Sequence, residues 1–148
     1  MFVGTSFGGV LFSPDNGANW IPLNNGLPAN ADVVLIAVVG TSLFASVAVG
    51  GLFVSTNNGL NWTAANNGLP TFPSTVLSLT TSGSTIYAGT NNGLFYSINN
   101  GSTWLALGSI PYSIYSLAVS GANIFVGTYN EGIYLSTNSS PTCSIILR

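Results

Sequence analysis

Ser55-Thr56-Asn57-Asn58-Gly59-Leu60-Asn61-Trp62 is the stretch on which the reading of this chain turns. It returns with small changes at Ser13 to Trp20 and at Ser97 to Trp104, each serine, glycine and tryptophan 42 residues from its counterpart. An eroded fourth copy starts at Ser136. A fixed period of that size, filled with strand-forming residues, is how a propeller reads in sequence. A β-sandwich would show strands at similar spacing but no such copying.

Outward from that stretch, each period divides into β-prone runs, a to d, separated by turn residues. In the third copy they are Val76–Thr81, Thr85–Gly89, Gly93–Ile98 and Thr103–Leu107. In the second they are Val33–Val39, Ser42–Ala48, Gly51–Thr56 and Asn61–Ala65. The fourth has Ile114–Val119, Asn123–Gly127 and Gly132–Thr137, with Thr142–Leu147 available as strand d. The first holds only b, c and d, because Met1-Phe2-Val3-Gly4-Thr5 matches Ile124-Phe125-Val126-Gly127-Thr128 inside a period. Short strands joined by tight turns pair antiparallel, and a sheet of them must stack on neighbours to bury its faces. The expected fold is all-β: a β-propeller of about four four-stranded antiparallel blades in an incomplete or open ring. One segment, 1–148, then divides into blade 1 (about 1–27), blade 2 (about 28–69), blade 3 (about 70–110) and a degenerate blade 4 (about 111–148).

The connections repeat as well. Asn24-Asn25-Gly26-Leu27-Pro28 and Asn66-Asn67-Gly68-Leu69-Pro70 carry the chain from strand d to the next strand a, and the third connection shortens to Gly108-Ser109-Ile110-Pro111. Gly supplies positive φ, Asn tolerates it and Pro stops the strand.

Composition removes several function classes. The side chains charged at neutral pH are Asp15, Asp32, Glu131 and Arg148. One Arg cannot build a phosphate-neutralising patch, so nucleic acid is excluded as a partner, and anionic membrane surfaces with it. Without His, Cys/His metal sites are excluded, and the lone Cys143 forms no disulfide within the chain. No cofactor is expected. Val33 to Val54 runs 22 residues without a charge, long enough to span a membrane. The matching stretch Val76 to Tyr96 is broken by Ser82-Gly83-Ser84 and Asn91-Asn92-Gly93, so both are read as three strands and no membrane span is expected.

The pattern Ser-x-Asp-x-Gly-x-x-Trp resembles the Asp-box, or BNR repeat, of sialidase-like propellers. Ser13, Asp15, Gly17 and Trp20 match it fully, whereas Ser55, Gly59, Trp62 and Ser97, Gly101, Trp104 match with Asn57 and Asn99 in the Asp place. The fourth copy has Asn138, Ser140 and Cys143 in the places of Asp, Gly and Trp. The resemblance covers nearly the whole chain. It implies a turn at the blade periphery, away from any active site, so Asp15 is read as a turn cap rather than a catalytic acid. It also implies an extracellular or cell-surface location. Sialidase chemistry needs an arginine clamp, which this chain lacks. The family closes its rings with more blades than this chain holds, so the partners expected are further blades of a longer protein or a second copy of the chain.

Two carboxylates outside the box, Asp32 before a strand and Glu131 in a b-to-c turn, are the remaining candidates for a glycoside-hydrolysing pair, and solvated loop charges are the preferred account of them. No catalytic residue is therefore assigned. The expected function is a non-catalytic repeat scaffold or binding module, with a neutral glycan or a protein as ligand. The alternative is a fragment of a glycoside hydrolase propeller whose catalytic residues lie elsewhere. Propellers bring the d-to-a and b-to-c connections to one face, where Phe7, Phe72, Asn91, Asn92, Tyr112, Tyr129 and Glu131 are the candidate ligand residues.

Overall fold

Alternating apolar runs and turn residues produce strands alone: the computed structural model describes residues 1–71, 75–137 and 143–147, and no helix forms among them. Blade 1 holds β1 (Phe2–Thr5), β2 (Gly9–Phe12) and β3 (Ile21–Pro22). Blade 2 holds β4 (Val33–Val39), β5 (Ser42–Val47), β6 (Gly51–Ser55) and β7 (Thr63–Ala64). Blade 3 holds β8 (Val76–Ser82), β9 (Thr85–Thr90), β10 (Gly93–Ser97) and β11 (Leu105–Ala106). Blade 4 holds β12 (Ile114–Ser120), β13 (Asn123–Thr128), β14 (Ile133–Thr137) and β15 (Cys143–Leu147). Every sheet is an open antiparallel meander in sequence order, and the first has only three strands. The expected all-β propeller architecture of antiparallel blades is what forms. Val33 to Val54 is β4, β5 and the start of β6, and no described helix is long and apolar enough to cross a membrane.

Local chemistry explains the turns. Strands a and b are joined by two-residue loops that open on Gly40, Gly83 and Gly121, at φ of 58°, 58° and 59°. The next residue in each loop has no positive φ, which is the type II′ turn that matches strand twist. Strand a carries a bulge one residue in, between Val33 and Leu35, between Val76 and Ser78, and between Ile114 and Ser116. A bulge leaves one residue unpaired and re-aims its side chain. That residue is Val34, Leu77 or Tyr115.

Strand d departs from expectation. Asn61–Ala65 and Thr103–Leu107 are reduced to the two-residue β7 and β11. The reason lies at each tryptophan. The Trp62 backbone N–H donates to the Asn25 carbonyl at 2.8 Å, and Trp104 N–H to the Asn67 carbonyl at 2.8 Å, so both leave the ladder for a connection.

The chain forms two compact units, Met1–Ala65 and Asn66–Arg148. In the first, Val10, Val33, Leu43, Ala45, Val47, Phe53 and Trp62 form the core, with Phe2, Leu27 and Ile36 against it. In the second, Tyr87, Leu94, Ile110, Ile114, Ile124, Val126 and Tyr134 do so. Inner strands lie so close that a Cβ at Gly89 would stand 2.5 Å from Ile114 Cγ2. Such burial, at roughly 25 cal/mol per Å² of apolar surface, is the main force holding blade on blade.

Candidate functional site

The repeated stretch folds the same way in all three full copies. Ser13, Ser55 and Ser97 are buried at the end of strand c, and their Oγ atoms accept from the N–H of Gly17, Gly59 and Gly101 at 2.7, 2.8 and 2.9 Å. Each hydroxyl donates its proton to Oδ1 of Asp15, Asn57 or Asn99, at 3.0, 2.9 and 2.9 Å. That oxygen in turn accepts from the N–H of Asn19, Asn61 or Thr103 at 2.8, 2.9 and 2.9 Å. A carboxylate and two amides thus hold one turn with one geometry, because the bonds common to all three use the acceptor Oδ1; the second atom adds a bond from the Asn19 amide to Asp15 Oδ2 at 2.6 Å and one from Asn99 Nδ2 to Thr103 Oγ1 at 2.8 Å. Asn16, Asn58 and Asn100 sit at positive φ, which Asn tolerates. The Asn19 side chain and backbone N–H hold the Asp15 carboxyl below its usual range. Ser13 and Asn19 both bond the Asp15 carboxyl within the turn. In the fourth copy, Asn138 and Ser140 lie outside the described residues.

The tryptophans are unequal. Trp62 is 3% exposed and Trp104 2%, whereas Trp20 is 38% exposed. The Trp62 indole N–H donates to the Leu23 carbonyl at 2.8 Å. A Cβ at Gly26 would lie 2.1 Å from the Trp62 carbonyl oxygen, and one at Gly68 2.1 Å from that of Trp104. Each Asn-Asn-Gly-Leu-Pro connection therefore clamps the tryptophan of the blade it introduces.

The loop face is seen in each unit separately. In the first, the Gly9 N–H donates to the Ala31 carbonyl at 3.0 Å, and Ala48 N–H to the Asp32 carbonyl at 2.9 Å, so b-to-c turns meet the d-to-a connection. Phe7 stands at the tip of such a turn, 71% exposed and at φ 63°, beside the first-unit carboxylate Asp32 only in the sense of sharing this end of the blades. In the second unit, Ser113 joins two turns: its hydroxyl donates to the Asn91 carbonyl at 3.3 Å, and its carbonyl accepts from Tyr129 N–H at 3.1 Å. Asn91 Oδ1 also accepts from Thr75 N–H at 3.0 Å. Thr128 Oγ1 closes its turn by donating to the Gly132 carbonyl at 2.9 Å and accepting from Glu131 N–H at 3.2 Å.

Tyr129, 71% exposed, stacks at 5.6 Å on Tyr115, 55% exposed. Tyr112 packs instead on Tyr134, at 6.2 Å. Asn91, Tyr129 and Glu131 are thus on one loop cluster with Asn92, and Tyr115 joins them. Sequence reading missed Tyr115 because it was counted inside a regular strand; its bulge turns it out to the rim. Phe72 lies outside the described residues.

One cavity opens beside this cluster. It measures 290 Å³ and is lined by Asn92, Gly93, Phe95, Gly108, Ile110 and Pro111, among others. Its origin is the shortened third connection. In blade 1 the Asn24 side chain accepts from Val10 N–H at 2.8 Å and donates to the Gly8 carbonyl at 2.9 Å, filling the corresponding place. Gly108 has no side chain to do so.

Comparison with known proteins agrees with this architecture. The family model described as the DUF6242 beta propeller domain matches residues 2–108. No protein of curated function matches the chain in sequence. Among solved structures, an ancestral GH74 enzyme is similar at TM-score 0.78 and 23% identity, over 98% of this chain and 22% of that one. The extracellular domain of what is described as a one component system from B. thetaiotaomicron is similar at TM-score 0.79 and 19% identity, over 99% and 21%. The GH74 xyloglucanase from Xanthomonas campestris is similar at TM-score 0.63 and 16% identity, over 97% and 28%. At these identities the likeness is one of fold. The chain spans between 21% and 28% of those structures' length.

Proposed function

The chain belongs to the DUF6242 beta propeller domain family, and from that premise we propose that it is a non-catalytic binding stretch of a longer secreted or cell-surface propeller, holding a neutral glycan on its loop face. The observation that carries this reading is the exposed Tyr115–Tyr129 pair, on turns that Ser113 ties to Asn91 and its neighbour Asn92. Aromatic faces pack on the C–H surfaces of sugars, and amides bond their hydroxyls without needing charge. A face with so little charge selects against ionic ligands. The extracellular likeness of one structural neighbour, and the xyloglucan-cleaving neighbour, support a location outside the cell and a neutral polysaccharide as ligand. The identical Ser–Asx–Gly relay in three turns supports an Asp-box identity for the repeats, with Asp15, Asn57 and Asn99 as structural caps.

A second reading, a fragment of a glycoside hydrolase whose catalytic residues lie on other blades, is favoured by the two GH74 neighbours. Titration with xyloglucan oligosaccharides separates the two. Tyr129→Ala and Tyr115→Ala, both at exposed positions, are expected to weaken binding about tenfold each, the equivalent of ~1.4 kcal/mol per lost stack. Asp32→Asn and Glu131→Gln are expected to leave binding intact. Hydrolysis abolished by either carboxylate change would replace the binding reading with the enzymatic one, and binding indifferent to both tyrosines would remove the loop face as the site.

A further inference from the structure

Trp20 presents a paradox of repetition. Its box is the most complete of the three, its turn has the same hydrogen bonds, and its side chain is nonetheless 38% exposed. What differs is the clamp. Trp62 is held by the Leu23 and Asn25 carbonyls and by the close passage of Gly26, and Trp104 by the Asn67 carbonyl and Gly68. Among the described residues nothing plays those parts for Trp20. The box glycine tells the same story. A Cβ on Gly59 would meet Leu23 Cδ1 at 3.2 Å and Phe2 Cε1 at 3.4 Å, whereas one on Gly17 would meet Met1 Cε at 3.5 Å and the ring of Trp20 itself at 3.7 Å. The Trp20 indole has turned onto the place that a connection occupies in the next blade.

A second observation is independent of the first. Among the described residues β1 pairs with β2 alone, and none of them adds a strand to its other edge. In blades 2, 3 and 4 the corresponding strand b is paired on that edge by β4, β8 or β12. An open edge is a template for a further strand.

In blade 2 one continuous segment meets both needs. Leu23 to Gly26 clamps Trp62, and the same run continues into β4, which pairs with β5 from Val33↔Val47 to Val39↔Ser42. We propose that Trp20 and the open edge of β1 form a single docking surface for a connection-plus-strand segment of the Leu-Asn-Asn-Gly-Leu-Pro kind, supplied by a further blade outside Met1–Arg148. By the 42-residue shift its strand would lie along Phe2–Thr5, with the residue equivalent to Ile36 opposite Val3 as Ile36 lies opposite Ala45. A second copy of this chain is not the occupant. Its two full segments, after Leu23 and after Ala65, are already seated on Trp62 and Trp104, and its third connection is the shortened Gly108-Ser109-Ile110-Pro111.

This inference rests on reading the chain as part of a longer propeller. Its test addresses a different surface from the glycan titration, so each can fail alone. A synthetic peptide with the sequence Leu23–Val39 is added to the purified chain, and acrylamide quenching of tryptophan fluorescence is followed. The chain has three tryptophans, of which Trp62 and Trp104 are already buried. The expected result is loss of the one accessible component at saturating peptide, with a blue shift of the emission. The Trp20→Ala chain, altered at an exposed position, is expected to bind the peptide at least about tenfold more weakly, the ~1.4 kcal/mol scale of one lost anchor. A peptide carrying Gly26→Ala is expected to bind more weakly, since its Cβ would collide with the Trp20 carbonyl as it would with that of Trp62. Unchanged quenching, or equal binding to the Trp20→Ala chain, would overturn the proposal. So would a native mass that grows with concentration and stops growing in the Trp20→Ala chain, which would make a second copy the occupant.

Discussion

Truncating Trp62 to alanine tests whether the connection-to-tryptophan clamp holds neighbouring blades together. Trp62 is 3% exposed, lies in the core of the first unit and donates its indole N–H to the Leu23 carbonyl at 2.8 Å. Removing a buried aromatic side chain of this kind costs about 3–5 kcal/mol, from lost transfer energy and the cavity left behind. Orphaning the Leu23 carbonyl adds roughly 1 kcal/mol unless water reaches it. The total, about 4–6 kcal/mol, is a large share of the 5–15 kcal/mol typical of a whole domain. Trp20→Ala is the internal control: the same residue type at the same place in the repeat, 38% exposed and without a clamp, for which about 1 kcal/mol is expected. Urea unfolding followed by far-UV circular dichroism gives both values from the shift in midpoint, provided the slope is unchanged. Destabilisations of the two variants within about 1 kcal/mol of each other, the scale of one net hydrogen bond, would refute the clamp as the source of stability.

Two further outcomes follow from the turns. Hydrogen bonds from Asn19 depress the Asp15 carboxyl in the folded chain, so its contribution is present above the unfolded value of 3.8 and is lost as pH falls through the lower folded value. Asp15→Asn keeps the Oδ1 acceptor that Asn57 and Asn99 use but loses the Oδ2 acceptor of the Asn19 amide, so its thermal midpoint is expected to lie slightly below the parent at neutral pH and to fall less steeply below pH 3.8. A steeper fall in the variant would show that the carboxylate plays no such part. Gly26→Ala should lower the thermal midpoint far more than Gly83→Ala, because both sit at positive φ but only Gly26 faces a carbonyl oxygen, with 2.1 Å to a Cβ against open space. The backbone strain common to both is about 1–2 kcal/mol; equal midpoints would mean the connection simply moves aside.

The blade pattern was legible because the hairpin chemistry is local. Gly40, Gly83 and Gly121 sit where two apolar runs meet, and the turn they make needs no information from elsewhere in the chain. Strand d was overextended because its end is decided by a tertiary contact. Trp62 N–H is drawn to Asn25, whose distance in sequence hides it from any reading of Asn61–Ala65 alone. Tyr115 was missed for a related reason: a bulge depends on the register of two strands, and Ile114-Tyr115-Ser116 looks like an ordinary strand start in isolation. Asn91, Tyr129 and Glu131 can be placed in turns from sequence because turn tips are read from the same Gly and Asn punctuation as the hairpins. Tyr112 packs on Tyr134 rather than with them, and Phe72 lies outside the described residues.

The clamp also bears on how such a chain grows over generations. Gly26 and Trp62 touch, and so do Gly68 and Trp104, and in each case the two partners fall within a single 42-residue period. Tandem duplication of that period copies plug and socket in one event, already matched in shape. Each new unit arrives able to grip its own tryptophan and to offer its successor a finished surface. Lengthening the array therefore demands no compensating change elsewhere, whereas losing one residue from a connection, as between Leu107 and Pro111, is felt at once as an unfilled space beside Gly93 and Gly108.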